Sequence, residues 1–284
     1  MQFDMNRTWS QAIALVKGNF QLLAIIAGVF LLLPSVLMYL LFPDLLALMS
    51  ADADPEALVA RMEAMVPQLM GYGIVGMLVQ MVGYMAMIAL MGTDRPTVGE
   101  AIQRGVKALP TLLGAAIVFA CGYFVAALVI GLLLGLVVGA LSAVSEAAGT
   151  ATAGILTFGL FAAILYVMVR FCLTLPAIVL EGIGNPLKAL ARSWRLTGLR
   201  AWAIVGFFAM LFIAYMVLVM VLFIVIGGLG LVSGAQLGGG SALALGLFAG
   251  IVGAFVSMLL SGILVSIHQQ LAGAAAPPDA EFNA

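Results

Sequence analysis

Side chains that could do chemistry are sparse in this chain, and they gather in one place. Of its 11 Lys and Arg residues, five fall within RFCLTLPAIVLEGIGNPLKALARSWRLTGLR: Arg170, Lys188, Arg192, Arg195 and Arg200. Arg95, Arg104 and Lys107 form a smaller group upstream. Such residues recognise phosphate and carboxylate oxygens, arginine through a planar fork of donors. Nothing catalytic accompanies them. There is no G-x-S-x-G, no H-E-x-x-H and no P-loop lysine motif. The one histidine, His268, stands beside Gln269 and Gln270 with no Cys or carboxylate cluster near it in sequence. It reads as a polar marker where a span leaves the membrane, and no metal site is expected. Asp52, Asp54 and Glu56 alternate as metal ligands can, but lack the glycine and terminal glutamate of a calcium loop. The chemistry on offer is anion recognition, with no catalytic residue, metal or cofactor implied.

The residues around these groups fix their position. Asn185 is a good N-cap, Pro186 suits a first helical position, and Gly198 can close the far end. Leu187, Leu190, Ala191 and Trp194 follow at i, i+3, i+4 and i+7 on one face, with Lys188, Arg192 and Arg195 on the other. A basic, Trp-bearing amphipathic helix beside a membrane span belongs in the headgroup layer.

Membrane residence follows from composition. The 284 residues are 65% hydrophobic and 8% charged, with a mean hydropathy of +1.25. Soluble domains carry roughly 25% charged residues. This chain cannot cover a water-facing surface. Its 11 basic and 12 acidic residues nearly cancel, so no nucleic-acid partner is implied. Cys121 and Cys172 lie inside apolar runs and read as small hydrophobes rather than a disulfide framework. Asp4 and Arg7 precede a polar, periodic segment, unlike a signal peptide.

Six apolar stretches, near 20–42, 68–92, 111–141, 153–180, 201–232 and 243–271, are each long enough for a bilayer crossing of about 20 residues. Pro34 and Pro176 are candidate kink sites. The connections alternate in charge. Arg7, Lys17, Arg95, Arg104, Lys107, Lys188, Arg192, Arg195 and Arg200 fall on one side; only Arg61, among the acidic residues of the 43–67 connection, falls on the other. The positive-inside rule puts both termini in the cytoplasm. The tail 273–284, Ala/Pro-rich, reads as disordered.

Three segments align without gaps: TWSQAIALVKGNF from Thr8, TVGEAIQRGVKAL from Thr97 and NPLKALARSWRLT from Asn185, at spacings of 89 and 88 residues. Each is expected to start at an N-cap, with capping boxes pairing Thr8 with Gln11 and Thr97 with Glu100. Each precedes two spans. The fold expected is all-α: a polytopic membrane protein with six transmembrane helices in three hairpins, each hairpin preceded by a cytoplasmic amphipathic interfacial helix. Residues 1–272 form one membrane domain with repeat units at about 5–92, 94–180 and 183–271.

Other features have local readings. A helix from Pro55, N-capped by Asp54, is expected to rest on the outer leaflet. Gly131, Gly135 and Gly139 in span three, and Gly246, Gly250, Gly253, Ala254, Ser257 and Ser261 in span six, suit close helix packing. The methionines of span two read as adaptable packing. Arg170, about 17 residues into span four, can snorkel to the headgroups. It could instead hold a lipid phosphate, or meet Glu181 if Pro176 bends the chain back.

The stretch around this joint also resembles a known family. Arg170, Pro176, Val179-Leu180-Glu181, Ala189-Leu190, Ser193 and Leu196-Thr197 resemble the signature of the glycerophosphoryl diester phosphodiesterase membrane-domain family of bacterial multi-span proteins. The resemblance implies a membrane module of a bacterial inner membrane. In some family members the module is joined to a soluble phosphodiesterase barrel, and no polar stretch here is long enough for one. The hydrolase activity is therefore not expected.

The leading expectation is a non-enzymatic inner-membrane protein engaging anionic lipid headgroups or other membrane proteins. The candidate headgroup-binding residues are Arg170, Glu181, Lys188, Arg192, Trp194 and Arg195, with Arg104 and Lys107. The alternative is a transporter or lipid-translocating protein, for which the few polar groups in the spans (Arg170, Gln80, Tyr84, Tyr166, Ser257, Ser261) make a sparse water-lined path.

Overall fold

The computed structural model describes residues 3–42, 55–233 and 239–273, and every element among them is helical. In chain order these are α1 (Met5–Gly18), α2 (Phe20–Ala27), a π-turn (Gly28–Leu32), α3 (Leu33–Leu41), α4 (Pro55–Leu90) and α5 (Val98–Val144). Then come α6 (Glu146–Phe171), α7 (Thr174–Leu180), α8 (Pro186–Thr197), a 3-10 turn (Gly198–Arg200), α9 (Ala201–Ser233) and α10 (Gly239–Gly273). Six stretches are long and apolar enough to cross a membrane: Phe20–Met38, Glu63–Leu90, Val98–Val144, Glu146–Leu180, Ala201–Leu222 and Gly246–Gly273. The protein is an all-α, multi-pass membrane protein, as its hydropathy requires.

Proline shapes span one as its missing N–H demands. Pro34 cannot donate to the Phe30 carbonyl, and the helix opens into a π-turn over Gly28–Leu32 just ahead of it. In span four the break falls at 172–173, between α6 and α7, and Pro176 occupies the first turn of α7. Asp54 and the tail from 274 lie outside the described residues. From Pro55 the chain does form a helix, but not a separate one: α4 runs for 36 residues straight into span two.

The segment before span three departs from expectation in the same way. It is not a distinct helix; α5 is continuous over 47 residues, about 70 Å at 1.5 Å per residue. The other two lead-in helices end at a glycine, Gly18 or Gly198. Here only Pro110 intervenes, and the helix absorbs it. The Thr97 capping box forms as expected: the Thr97 N–H donates to Glu100 Oε2 at 2.9 Å, and the Glu100 N–H to Thr97 Oγ1 at 3.4 Å. Asn185 Oδ1 caps α8 by accepting from the Lys188 N–H at 3.2 Å. Thr8 does not cap. Helix α1 begins three residues earlier, at Met5, so Thr8 is a buried residue inside the helix. Gln11 is not in a capping box either; its Oε1 accepts from the Ser266 hydroxyl at 3.2 Å.

The described chain divides into two compact units. The first comprises Met5–Leu109 and Met210–Ser266. In it α1 lies against α10, where a Cβ on Gly262 would stand 3.1 Å from the Ala12 carbonyl and 3.0 Å from Val16 Cγ2. The start of α5 lies against α4, where a Cβ on Gly105 would come within 2.9 Å of the Val82 carbonyl. Gly250 receives Leu32, and Gly83 receives Phe30. The hydroxyls of Tyr84 and Ser257 are 2.9 Å apart, so two of the few polar groups in the spans serve each other. Met85, Met87 and Met91 are buried, as adaptable packing requires, whereas Met70 and Met77 face outward.

The second unit comprises Pro110–Ala209 with Met1–Asp4 and Ile267–Ala284. Its packing is concentrated around the α6–α7 joint and α8. The rest of α5 and α6, over 116–168, is mostly exposed, with Gly149 buried. The glycine ladder of span three is open: a Cβ on Gly131, Gly135 or Gly139 would meet nothing within 4 Å.

Candidate functional site

The alignment of the three lead-in segments places Ala12, Ala101 and Ala189 at one position, and all three are 0% exposed. Four residues on stand Val16, Gly105 and Ser193, also buried. In the second and third segments this is a small pair at i and i+4, which lets two helix backbones approach closely; in the first, Val16 takes the second position and faces a glycine instead. The partners recur too. Val16 meets Gly262 of span six, and Gly105 meets Val82 and Met85 of span two. Ser193 meets the end of span four: its hydroxyl accepts from the Leu173 N–H at 3.1 Å and donates to the Arg170 carbonyl at 2.9 Å. Met85, Leu173 and Gly262 keep the spacing of the three segments to within one residue.

The third seat carries the site. Helix α7 ends at Glu181, and α8 begins after Asn185, its first turn resting on α5. There a Cβ on Gly114 would come 2.8 Å from Pro186 Cγ, and Thr111 Oγ1 donates to the Gly184 carbonyl at 3.2 Å. Helix α8 has three faces where periodicity alone suggests two. Ala189, Ser193, Leu196 and Thr197 are buried against the protein. Leu187 and Trp194, respectively 62% and 39% exposed, share an outward apolar face with Ala191. Lys188 and Arg195 are exposed on the basic face, and Arg192 is half-buried.

Arg170 does not snorkel. It is 7% exposed, and its Nη1 donates to the Gly198 carbonyl at 2.7 Å. Its guanidinium lies 3.9 Å from the Trp194 ring centroid and 5.9 Å from that of Tyr166. Thr197 Oγ1 reaches the Arg170 carbonyl at 3.3 Å. A desolvated cation–π contact contributes about 2 kcal/mol. Arg170 therefore clamps the end of span four to the last turn of α8 and to the glycine that closes it.

Arg170 does not meet Glu181 either. The Glu181 carboxylate accepts from Arg192 Nε, at 3.0 Å to Oε1 and 2.8 Å to Oε2. His268 Nε2 lies 2.9 Å from Oε1. Burial alone would raise the Glu181 pKa; the bonds from Arg192 and then His268, with their charges, outweigh it and hold the carboxyl below its ordinary value. His268 is 5% exposed and is therefore more than a marker of the membrane exit. Its partner is 87 residues away in sequence, which hid the pair from motif reading. The Ser193 hydroxyl bridge was equally invisible, although the family-like Ser at that position was a cue.

Arg104 lies in the other unit, in an exposed ion pair with Asp94 at 3.2 Å; Lys107 is exposed on the same segment. Among the described residues no group of three His, Cys, Asp or Glu side chains is placed to hold a metal ion.

No curated protein and no solved structure matches the chain. A family model does, over a stretch that takes in α7, α8 and all of Arg170, Glu181, Arg192, Trp194 and His268. The resemblance read from the joint is thus borne out: residues 147–274 match the membrane domain of glycerophosphoryl diester phosphodiesterase.

Proposed function

We propose that this is a non-enzymatic protein of the bacterial cytoplasmic membrane, with both termini inside, that engages anionic lipid headgroups through its basic lead-in helices. The observation that carries this reading is the outward surface of α8. Leu187, Ala191 and one side of Trp194 form an outward apolar stripe, left exposed among the described residues, and Lys188 and Arg195 stand exposed beside it. An apolar stripe flanked by cations next to a span suits the headgroup boundary. Each Lys or Arg near an anionic leaflet contributes about 1 kcal/mol. The matched family supplies a membrane domain and no catalytic one.

The three lead-in segments with their hairpins act as copies of one unit. The shared buried alanine and the regular spacing of the seats support this, because chance amphipathicity would not also align the partners. In this reading each copy seats its lead-in helix on the second span of the copy before it, and the first seats on span six.

The test is reconstitution into nanodiscs of phosphatidylcholine with or without phosphatidylglycerol. Wild-type protein should enrich the anionic lipid at its boundary, and the K188Q/R192Q/R195Q variant should lose that enrichment. An unchanged preference in the triple variant would overturn the reading. Reporters fused after Gly149 and after Ala276 should lie on opposite sides of the membrane; same-side signals would refute the six-span topology.

A further inference from the structure

We infer that Glu181 acts as a positioning residue, holding Arg192 so that its two Nη groups form a fork for phosphate at the surface of α8. The inference rests on the headgroup reading above and deepens it by naming the group recognised.

Its basis is which edge of the guanidinium is used. Arg192 meets both carboxylate oxygens through Nε alone, at 3.0 and 2.8 Å. A guanidinium has five N–H donors. The contact with Glu181 uses one and leaves the Nη edge without a protein partner among the described residues. The Arg192 side chain is 27% exposed, so it is neither buried in the pair nor free of it. Paired Nη groups are the donors that grip a phosphate with two parallel bonds.

Glu181 is itself anchored. His268 stands behind it, 6% exposed at its side chain and 2.9 Å from Oε1. The carboxylate is held between a buried imidazole and the arginine, which limits the directions the guanidinium can take. Lys188 and Arg195, at i−4 and i+3 from Arg192, are exposed on the same helix face and add charge without a fork. Every charged group at this cluster is then assigned: His268 anchors, Glu181 orients, Arg192 forks, and Lys188 and Arg195 attract. The ligand class is a phosphate-bearing anion, from a lipid headgroup or from solution.

The opposite account is that Glu181 neutralises Arg192 and withdraws it from anions. The two accounts differ in sign. The experiment uses full-length protein in phosphatidylcholine nanodiscs and measures the relative association of spin-labelled phosphatidic acid and phosphatidylcholine. Removing the orienting carboxylate in E181Q, or the fork in R192K, should each lower the preference for phosphatidic acid by about threefold to tenfold. The double variant should lose no more than either single one, and E181D should recover part of the loss. R192K keeps the charge and so reads the fork without upsetting the fold. A rise in preference in E181Q, or no change in R192K, overturns the inference. If the K188Q/R192Q/R195Q variant loses its anionic preference while E181Q does not, the inference fails and the headgroup reading stands; if the triple variant keeps it, the reading itself fails. Inorganic phosphate exchanged for chloride at matched ionic strength separates the sources: competition assigns free phosphate as a ligand, and retained preference assigns the lipid headgroup.

Discussion

Residues 98–109 of α5 and 186–197 of α8 bury the same two positions, Ala101 with Gly105 and Ala189 with Ser193, against the end of a span. Their outward sides differ. In the first, the helix continues unbroken into its span, and Arg104 is tied to Asp94 in an exposed pair. In the second, a glycine ends the helix, a buried arginine clamps it, and a carboxylate anchored by histidine holds another arginine at its surface. A common seat thus fixes where a helix lies and leaves its exposed faces free to diverge. Specific chemistry is to be sought in the segment whose exposed side chains are held by buried ones.

The strongest way to break this comparison is to remove the two arginines. R170Q should destabilise the protein by about 3 kcal/mol, losing a charged donor to a carbonyl and the cation over Trp194. R104Q should change stability by less than about 1 kcal/mol, since an exposed ion pair contributes little. Thermal unfolding in one detergent compares them, and equal losses would erase the distinction between the two segments.

The shared seat is tested by overpacking. A189L and A101L should each cost about 1–3 kcal/mol, because both alanines are 0% exposed. G105A should be destabilising too, because its Cβ would lie 2.9 Å from the Val82 carbonyl, which is backbone and cannot move aside cheaply. G135A, with nothing within 4 Å, should be neutral or stabilising by up to about 1 kcal/mol through helix propensity. A G135A loss as large as that of G105A would mean that span three is packed after all.

The N-caps should be alike in the two segments: T97A and N185A should each cost about 1 kcal/mol, read from the same melts. Acid titration gives the smallest effect. Glu181 has a folded pKa below its unfolded value, so its contribution is complete above the unfolded value near 4.3 and is lost as the pH falls through the folded one. Unfolding followed from neutral pH downward should show this acid-side loss in wild type and a shallower one in E181Q. Identical profiles would mean that the cluster contributes nothing.

How far these features could be read in the chain follows from their range. The six spans were legible because each needs only a long apolar run. The Thr97 and Asn185 caps were legible because a cap joins residues three apart. Thr8 misled because the same residue type serves as a cap or as a buried hydroxyl, and only the helix start decides. The third face of α8 was hidden for a different reason. Periodicity separates apolar from charged residues, but lipid and protein are both apolar surroundings. It was the small residues Ala189 and Ser193 that turned to the protein, while Leu187 and Trp194 were left outside. Glu181 and His268 met through tertiary folding alone, which no local pattern encodes.

The central claim is that the outward apolar stripe of α8 lies in lipid with its cations at the headgroups. Spin labels placed singly at 187, 191, 188 and 195, in full-length protein in bilayers, test it through collision with a lipid-soluble and a water-soluble relaxation agent. Labels at 187 and 191 should favour the lipid-soluble agent and those at 188 and 195 the water-soluble one. Equal exposure of all four positions to the water-soluble agent would contradict the claim.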